Sequence, residues 1–423
     1  MEQQGRIMQA YELAREQYAD WGIDAEAVLH KLSSVSVSVQ CWQGDDVGGF
    51  ETSDSSLSGG GIQATGHYPG KARNHAELQA DLAFALSLVP GNHRVNLHAI
   101  YGDFRGKKVD RDAIEPAHFE GWVDWAKEHQ VKLDFNCTCF SHPLANEGFT
   151  LSSQDESVRR FWIEHVNRCR EISAWMGRSL HSRTIHNLWI PDGTKDQTVN
   201  RMKYRETLRK SLDEIFSLEY PSGEMTDSIE SKLFGIGSEA YVVGSHEFYM
   251  GYGLTRNKMI CIDMGHFHPT ESVADKISSL LLYTPELMFH VSRGLRWDSD
   301  HVVSFNDELM AFAQEIVRAD ALPRANIGLD FFDASINRIG AYVIGIRNTQ
   351  KSLLYALLEP IQQLRKYEAE GKYFERLALL EEAKTKPFGA VWDYFCLTNC
   401  VPPGDQFIKE IQDYERNILS LRS

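Results

Sequence analysis

The chain has 423 residues, 43% hydrophobic and 24% charged, with a formal net charge of -15 at pH 7. That length and balance suit a folded protein with a large core, built either as one large domain with appended helices or as two domains, and exclude extensive disorder. The acidic excess argues against nucleic acid or an anionic membrane as partner, a local basic patch aside.

The opening segment, MEQQGRIMQAYELAREQYADWG, has neither the basic stretch nor the continuous apolar stretch of a signal peptide. No uncharged apolar run approaches the roughly 20 residues that span a bilayer. Seven cysteines, at 41, 137, 139, 169, 261, 396 and 400, include no CxxC pair. They read as small buried hydrophobes in a reducing compartment rather than as a zinc ribbon or disulfide framework. A cytoplasmic, soluble protein is expected.

Apolar residues at helical spacing over about residues 5–32 open the chain. VSVSVQCW at 35–42 then alternates with a period of two, which predicts a strand. The Gly-, Ser- and Asp-rich segment 44–74 follows as a long loop. Long loops in this position more often serve function than not, and this one is expected to close over substrate or to complete a neighbour's site.

Seven more strand-like runs lie at 94–101, 132–139, 184–190, 231–238, 258–265, 286–292 and 326–332. Helical patterns stand between most of them, as at 74–88, 118–129 and 157–177. Eight strands alternating with helices predict an α/β fold, a (β/α)8 or TIM barrel, over residues 1–346. GxGxxG and GxxxxGK[ST] are both absent, so the usual nucleotide signatures are missing. From 347 to 423 the strand signal stops, and helical patterns broken at Pro360, Gly371, Pro387 and VPPG (401–404) predict an additional C-terminal helical region. It would pack on the barrel or on a neighbouring subunit.

The polar residues that matter fall where these strands end, the face on which barrels of this kind carry their active sites. Glu230, Asp263, His266, His290, Asp298, Asp300 and Asp330 offer oxygen and imidazole ligands suited to a hard or borderline divalent ion. Seven candidate ligands exceed what one first-row metal needs, so a two-metal site is expected. Glu230 and Lys232 are two apart in a segment read as extended, which aims both at one face. Asp298 and Asp300 share a face on the same condition. Asp263 and His266 form D-x-x-H after the apolar ICI, whereas His268, beside Pro269, reads as structural.

Lys232, protonated, would stabilise a substrate oxygen as negative charge develops. Trp42, His98, Asn136, Trp189 and Asp192 offer aromatic faces and hydrogen-bonding groups for a small polyhydroxylated substrate. At this level the reaction is hydrolysis or isomerisation, and a two-metal phosphoesterase or a non-catalytic carbohydrate-binding protein are the competing readings.

In CWQGDDVGGFE, ESKLFGIG, DMGHFHPTE, HVSRGLRWDSDHV and GLDFFDASINR, and through nearly the whole chain, the sequence closely resembles the bacterial L-rhamnose isomerases. The resemblance implies a homotetrameric barrel enzyme that interconverts L-rhamnose and L-rhamnulose with Mn²⁺ or a similar divalent ion; Co²⁺ and Zn²⁺ suit the same ligands. It also implies that Glu230, Asp263, His290 and Asp330 hold a structural ion, that His266, Asp298 and Asp300 hold a catalytic one, and that Lys232 and His98 lie beside the sugar. Two routes fit this assignment, a C1–C2 hydride shift with metal-bound water or hydroxide moving the hydroxyl proton, and proton abstraction through an enediol. The first is favoured, because the carboxylates are committed to metal and no unliganded Glu stands as a carbon base.

Overall fold

The computed structural model describes the backbone of residues 2–51, 64, 66–234, 240–295 and 297–422, and their side chains except at 2, 293–295 and 297–300. Eight parallel strands close into a barrel: β1 (Val37–Gln40), β2 (Arg94–His98), β3 (Lys132–Asn136), β4 (Thr184–Leu188), β5 (Met225–Glu230), β6 (Met259–Asp263), β7 (Leu287–Val291) and β8 (Ala325–Leu329). Closure is made by β1, which pairs with β8 at Val39↔Leu329 and with β2 at Val39↔Val95. The barrel strands are buried almost end to end, as expected of parallel strands covered by helices on one side and filled by side chains on the other. Ile185, Met259, Cys261 and Met288 pack together as a small cluster of their own.

Short polar residues start the helices where the sequence places them. Asn74, Asp155, Asn306 and Asn337 each accept a backbone N–H of the first turn, at the heads of helices His75–Ser87, Glu156–Leu180, Asp307–Arg318 and Arg338–Leu357. Left-handed residues end two of them, His181 (φ 48°) after Glu156–Leu180 and Asn257 (φ 51°) after His246–Arg256. The predicted 5–32 helix is two, Glu2–Ala19 and Ala25–Ser33, with Asp24 capping the second.

One predicted strand is displaced. The fifth barrel strand is Met225–Glu230, not 231–238. Residues 231–234 leave the barrel as loop, and 235–239 lie outside the described residues. Four of the six residues of MTDSIE are polar, which hides it from any reading based on apolar runs, and the charge in mid-strand is Asp227. It is buried against the Arg170 guanidinium at 2.9 and 3.0 Å, with His186 Nδ1 at 3.2 Å and Lys258 Nζ at 3.3 Å. Burial alone would raise this carboxyl, but His186 and Arg170 hold it far below its ordinary range. Replacing Arg170 with Met is expected to cost about 3 kcal/mol, because removing one partner leaves a buried charge under-compensated. An unchanged denaturant midpoint would show that Asp227 does not need it.

The C-terminal helices break at the predicted residues: Arg338–Leu357, Ile361–Ala369, Tyr373–Ala383, Phe388–Thr398 and Phe407–Asn417. Position 346, where the sequence reading divides barrel from extension, lies inside the first of these. Much of the extension packs on its own chain. Tyr394 stacks on Tyr11 of the N-terminal helix at 3.7 Å, and Tyr414 and Arg422 bond the buried Asp81. Among the described residues no helix is long and apolar enough to cross a membrane. Six of the seven cysteines are buried, and all seven are free thiols.

Of the long loop 44–74, residues 52–63 and 65 lie outside the described residues. Its two ends are bolted to the barrel mouth. Arg338 binds the Asp46 carboxylate at 2.7 Å and the carbonyls of Tyr68 and Pro69 at 2.7 and 3.1 Å, while Arg111 pairs with Glu51 at 3.0 Å.

Candidate metal centre

The ends of β5 to β8 bring four ligand groups to one point. Glu230 ends β5, Asp263 ends β6, His290 lies beside it in register on β7, and Asp330 follows the last residue of β8. One ligand atom from each of the four lies within 4.8 Å of all the others. Gly328 makes room for the imidazole, since a Cβ there would sit 3.3 Å from the His290 ring.

The contacts have the pattern of groups aimed at a shared centre rather than at one another. His290 Nδ1 is 3.2 Å from both Glu230 Oε2 and Asp330 Oδ2 and 3.7 Å from Asp263 Oδ2. Yet neither nitrogen of His290 makes a hydrogen bond, and Asp330 Oδ1 has none either, although all are buried. Three carboxylates packed around one imidazole in a dry interior are stable only with added positive charge. A divalent cation satisfies the orphaned atoms and the charge together, so the residues fit a metal. Burial would raise the Glu230 carboxyl and lower the His290 imidazole, but His290 and His266 hold Glu230 well below its usual range, and Cys261, Glu230 and Asp330 hold His290 well above its own.

His266 stands at the edge of this cluster. Its Nδ1 donates to the Ser231 carbonyl at 2.7 Å and lies 3.1 Å from Glu230 Oε1. A proton held on Nδ1 by a backbone carbonyl leaves Nε2, 3.9 Å from Asp263 Oδ2, as the nitrogen with a lone pair to offer an ion. Asp263 is itself oriented by the Gly265 N–H at 2.6 Å. Asp298 and Asp300 lie on a strand, Trp297–His301, paired antiparallel with Arg293–Leu295, so the backbone is extended there. Their side chains lie outside the described residues.

A cavity opens over the cluster and is walled by Trp42, His98, Asn136, Trp189 and Lys232 together with Glu230, His266, His290 and Asp330. Trp42 stacks on His98 at 4.2 Å and donates its indole N–H to the Phe331 carbonyl at 3.2 Å. Burial, with the charge of His290 next, brings the pKa of His98 down to about 3, so the ring is neutral near pH 7. Its Nε2 is buried without a partner, and so is the Trp189 indole nitrogen. Lys232 Nζ lies 5.0 Å from the Trp189 ring centre. Asn136 spends its amide on Asn96 Oδ1 at 2.8 Å.

Asp192 stands apart from the other candidates. It is buried, and its carboxylate is taken by Thr150 Oγ1 at 2.5 Å and by Ser152 N and Oγ at 2.9 and 2.6 Å. It ties loops together and does not line the cavity. His268 is exposed and bonds Thr270.

Sequence reading missed Asn187, Gln40, Cys137, Phe140 and Phe332, all of which line the cavity. Asn187 carries the most chemistry. Its Nδ2 donates to Glu230 Oε2 at 2.5 Å, and its Oδ1 is buried without a partner. The available signal was an amide near the carboxyl end of β4, the end of the barrel that carries the site. Asn187→Ala is expected to weaken metal binding about 10- to 100-fold, the usual effect of removing a group that orients a ligand. Calorimetric titration with Mn²⁺ measures it, and unchanged affinity would show that Glu230 needs no such support.

Comparison with known proteins gives one consistent picture. The model of the L-rhamnose isomerase family (RhaA) matches residues 5–422. The chain is 59% identical over 422 residues to an L-rhamnose isomerase of Bacteroides thetaiotaomicron, covering all of both chains. It is 56% identical over 423 residues to one from Rhodopirellula baltica, covering all of this chain and 99% of that one. Against the Escherichia coli K12 protein of the same name it is 55% identical over 417 residues, 99% of each.

Proposed function

The chain belongs to the L-rhamnose isomerase family, and from that membership we propose how its own residues carry the reaction. It is a metal-dependent aldose–ketose isomerase that interconverts L-rhamnose and L-rhamnulose. The observation that carries the proposal is the convergence of Glu230, Asp263, His290 and Asp330 on one point, with both His290 nitrogens and Asp330 Oδ1 unsatisfied.

In this reading those four residues hold an anchoring ion, and His266, Asp298 and Asp300 hold a second. Both ions are Mn²⁺ by preference, with Co²⁺ or Zn²⁺ able to use the same oxygen and nitrogen ligands. When bound, such ions polarise the carbonyl and hydroxyl oxygens at C1 and C2. The chain's own groups fix the sugar around that chemistry. Trp42 and Trp189 present rings to its C–H faces, neutral His98 turns its unpartnered Nε2 toward an oxygen, and Lys232 meets the oxygen on which negative charge develops. Asn136 completes the polar wall, while Asp192 acts indirectly by holding the loops at the mouth.

With the carboxylates committed to ions, the hydrogen moves from C2 to C1 with its electron pair, while the O2 proton is lost and O1 is protonated. L-Rhamnose deuterated at C2 tests this. Deuterium kept at C1 of the ketose is expected, and its exchange into water would mean an enediol.

The enzyme is proposed to work in the cytoplasm as a homotetramer. Free buried thiols support a reducing compartment, and Tyr373, Phe374 and Leu377, 62%, 78% and 59% exposed on one extension helix, offer apolar surface for a neighbour.

A further inference from the structure

Beside the sugar cavity lies a second set of reactive groups that isomerisation does not use. Cys137 follows the last residue of β3 and lines the cavity, and Cys139 is two residues on. Their sulfurs are 3.8 Å apart. A disulfide needs about 2.05 Å, so closing the bond requires less than 2 Å of approach.

Behind Cys137 stands a charge relay. His186 is completely buried on β4, its Nδ1 3.2 Å from Asp227 and its Nε2 without a conventional partner. Asp227 is in turn fixed by Arg170. Burial opposes ionisation of Cys137, yet hydrogen bonding with Cys139 and His186 brings its pKa down to about 6, whereas burial first, and then Cys137 itself, push Cys139 well above the ordinary thiol range. The Cys139 S–H donates to the Cys137 sulfur, so ionisation favours Cys137 over its neighbour, the asymmetry of an attacking and a resolving cysteine. Cys169, the third thiol nearby, is engaged with the ring of His165 at 3.7 and 3.8 Å.

We propose that Cys137 and Cys139 form a hydroperoxide-reactive dithiol in the cavity wall, which closes to an intrachain disulfide and reversibly lowers activity. The Cys137 thiolate attacks one oxygen of the peroxide, breaking the O–O bond, forming a sulfenic acid and releasing hydroxide. Cys139 then attacks that sulfur, forming the S–S bond, and its proton leaves with the sulfenic oxygen as water. Two thiols and one hydrogen peroxide give one disulfide and two waters, with sulfur oxidised and peroxide oxygen reduced. Closure shifts the segment from Asn136 to Phe140, of which Asn136, Cys137 and Phe140 line the cavity. Displacements of about 1 Å at such walls cost on the order of 10²-fold in rate.

The effect on turnover rests on the isomerase reading, but the thiol chemistry does not, and the test reads them separately. Full-length, Mn²⁺-loaded protein carrying Cys400→Ser, which removes the exposed thiol, is titrated with hydrogen peroxide. The proposal expects a species lighter by two hydrogens, a peptide map joining 137 to 139, and a 10- to 100-fold activity loss tracking that species and reversed by dithiothreitol. L-Rhamnose should slow the reaction by filling the cavity. Cys139→Ser should stop at a sulfenic acid on Cys137, trapped as a dimedone adduct. Oxidation that spares Cys137, or a 137–139 disulfide that leaves turnover unchanged, overturns the proposal, and the unmutated pair decides it even if the serine variant does not fold.

Discussion

His266→Asn is expected to lower kcat by roughly 10³-fold while leaving the barrel folded. A polarising ion contributes several kcal/mol to the transition state, and each 1.36 kcal/mol is tenfold in rate. The substitution removes one nitrogen ligand from the edge of the cluster but leaves Glu230, Asp263, His290 and Asp330 in place. The Asn amide can still donate to the Ser231 carbonyl that His266 now engages, so the loop after β6 keeps its anchor. Loss should therefore fall on turnover rather than on circular dichroism or on occupancy of the anchoring site. Metal content and activity measured on one preparation check it, and full occupancy at both sites with normal turnover contradicts the assignment of His266.

Glu230→Gln should abolish the stabilisation that metal gives the fold. Glu230 is the group through which the cluster is joined, since its two oxygens approach His266 and His290 at 3.1 and 3.2 Å and Asn187 at 2.5 Å. An ion present at 100 to 1,000 times its dissociation constant stabilises the native state by about 2.7–4.1 kcal/mol. For a chain of this length the unfolding entropy is roughly 0.9 kcal/mol/K. The native protein should thus gain about 3–5 °C in Tm on adding Mn²⁺ after chelation, and Glu230→Gln should gain close to nothing. An equal gain in the variant would place the ion elsewhere.

The barrel was readable because short apolar or alternating runs recur between helical patterns, and seven of the eight strands announced themselves in that way. The eighth, Met225–Glu230, escaped because four of its six residues are polar, and the buried Asp227 among them, compensated by Arg170, His186 and Lys258, looks in the sequence like a solvated loop acid. Compensation arrives from residues up to 57 positions away, and no local pattern carries it. The same physics misled the reading of Asp192, whose partners Thr150 and Ser152 come from another loop. The convergence of Glu230, Asp263, His290 and Asp330 was legible because barrel geometry converts position at a strand end into a shared mouth. Asn187 and Cys137 were not, because their importance lies in what each touches across the barrel, Glu230 in one case and Cys139 with His186 in the other.

The most direct measurement is the conversion of L-rhamnose by protein stripped of metal, before and after Mn²⁺ is restored, with L-rhamnulose followed as product. Ketose formation that is absent after stripping and returns with the ion is the predicted result. A folded protein with both sites filled and no conversion would contradict the account at its centre.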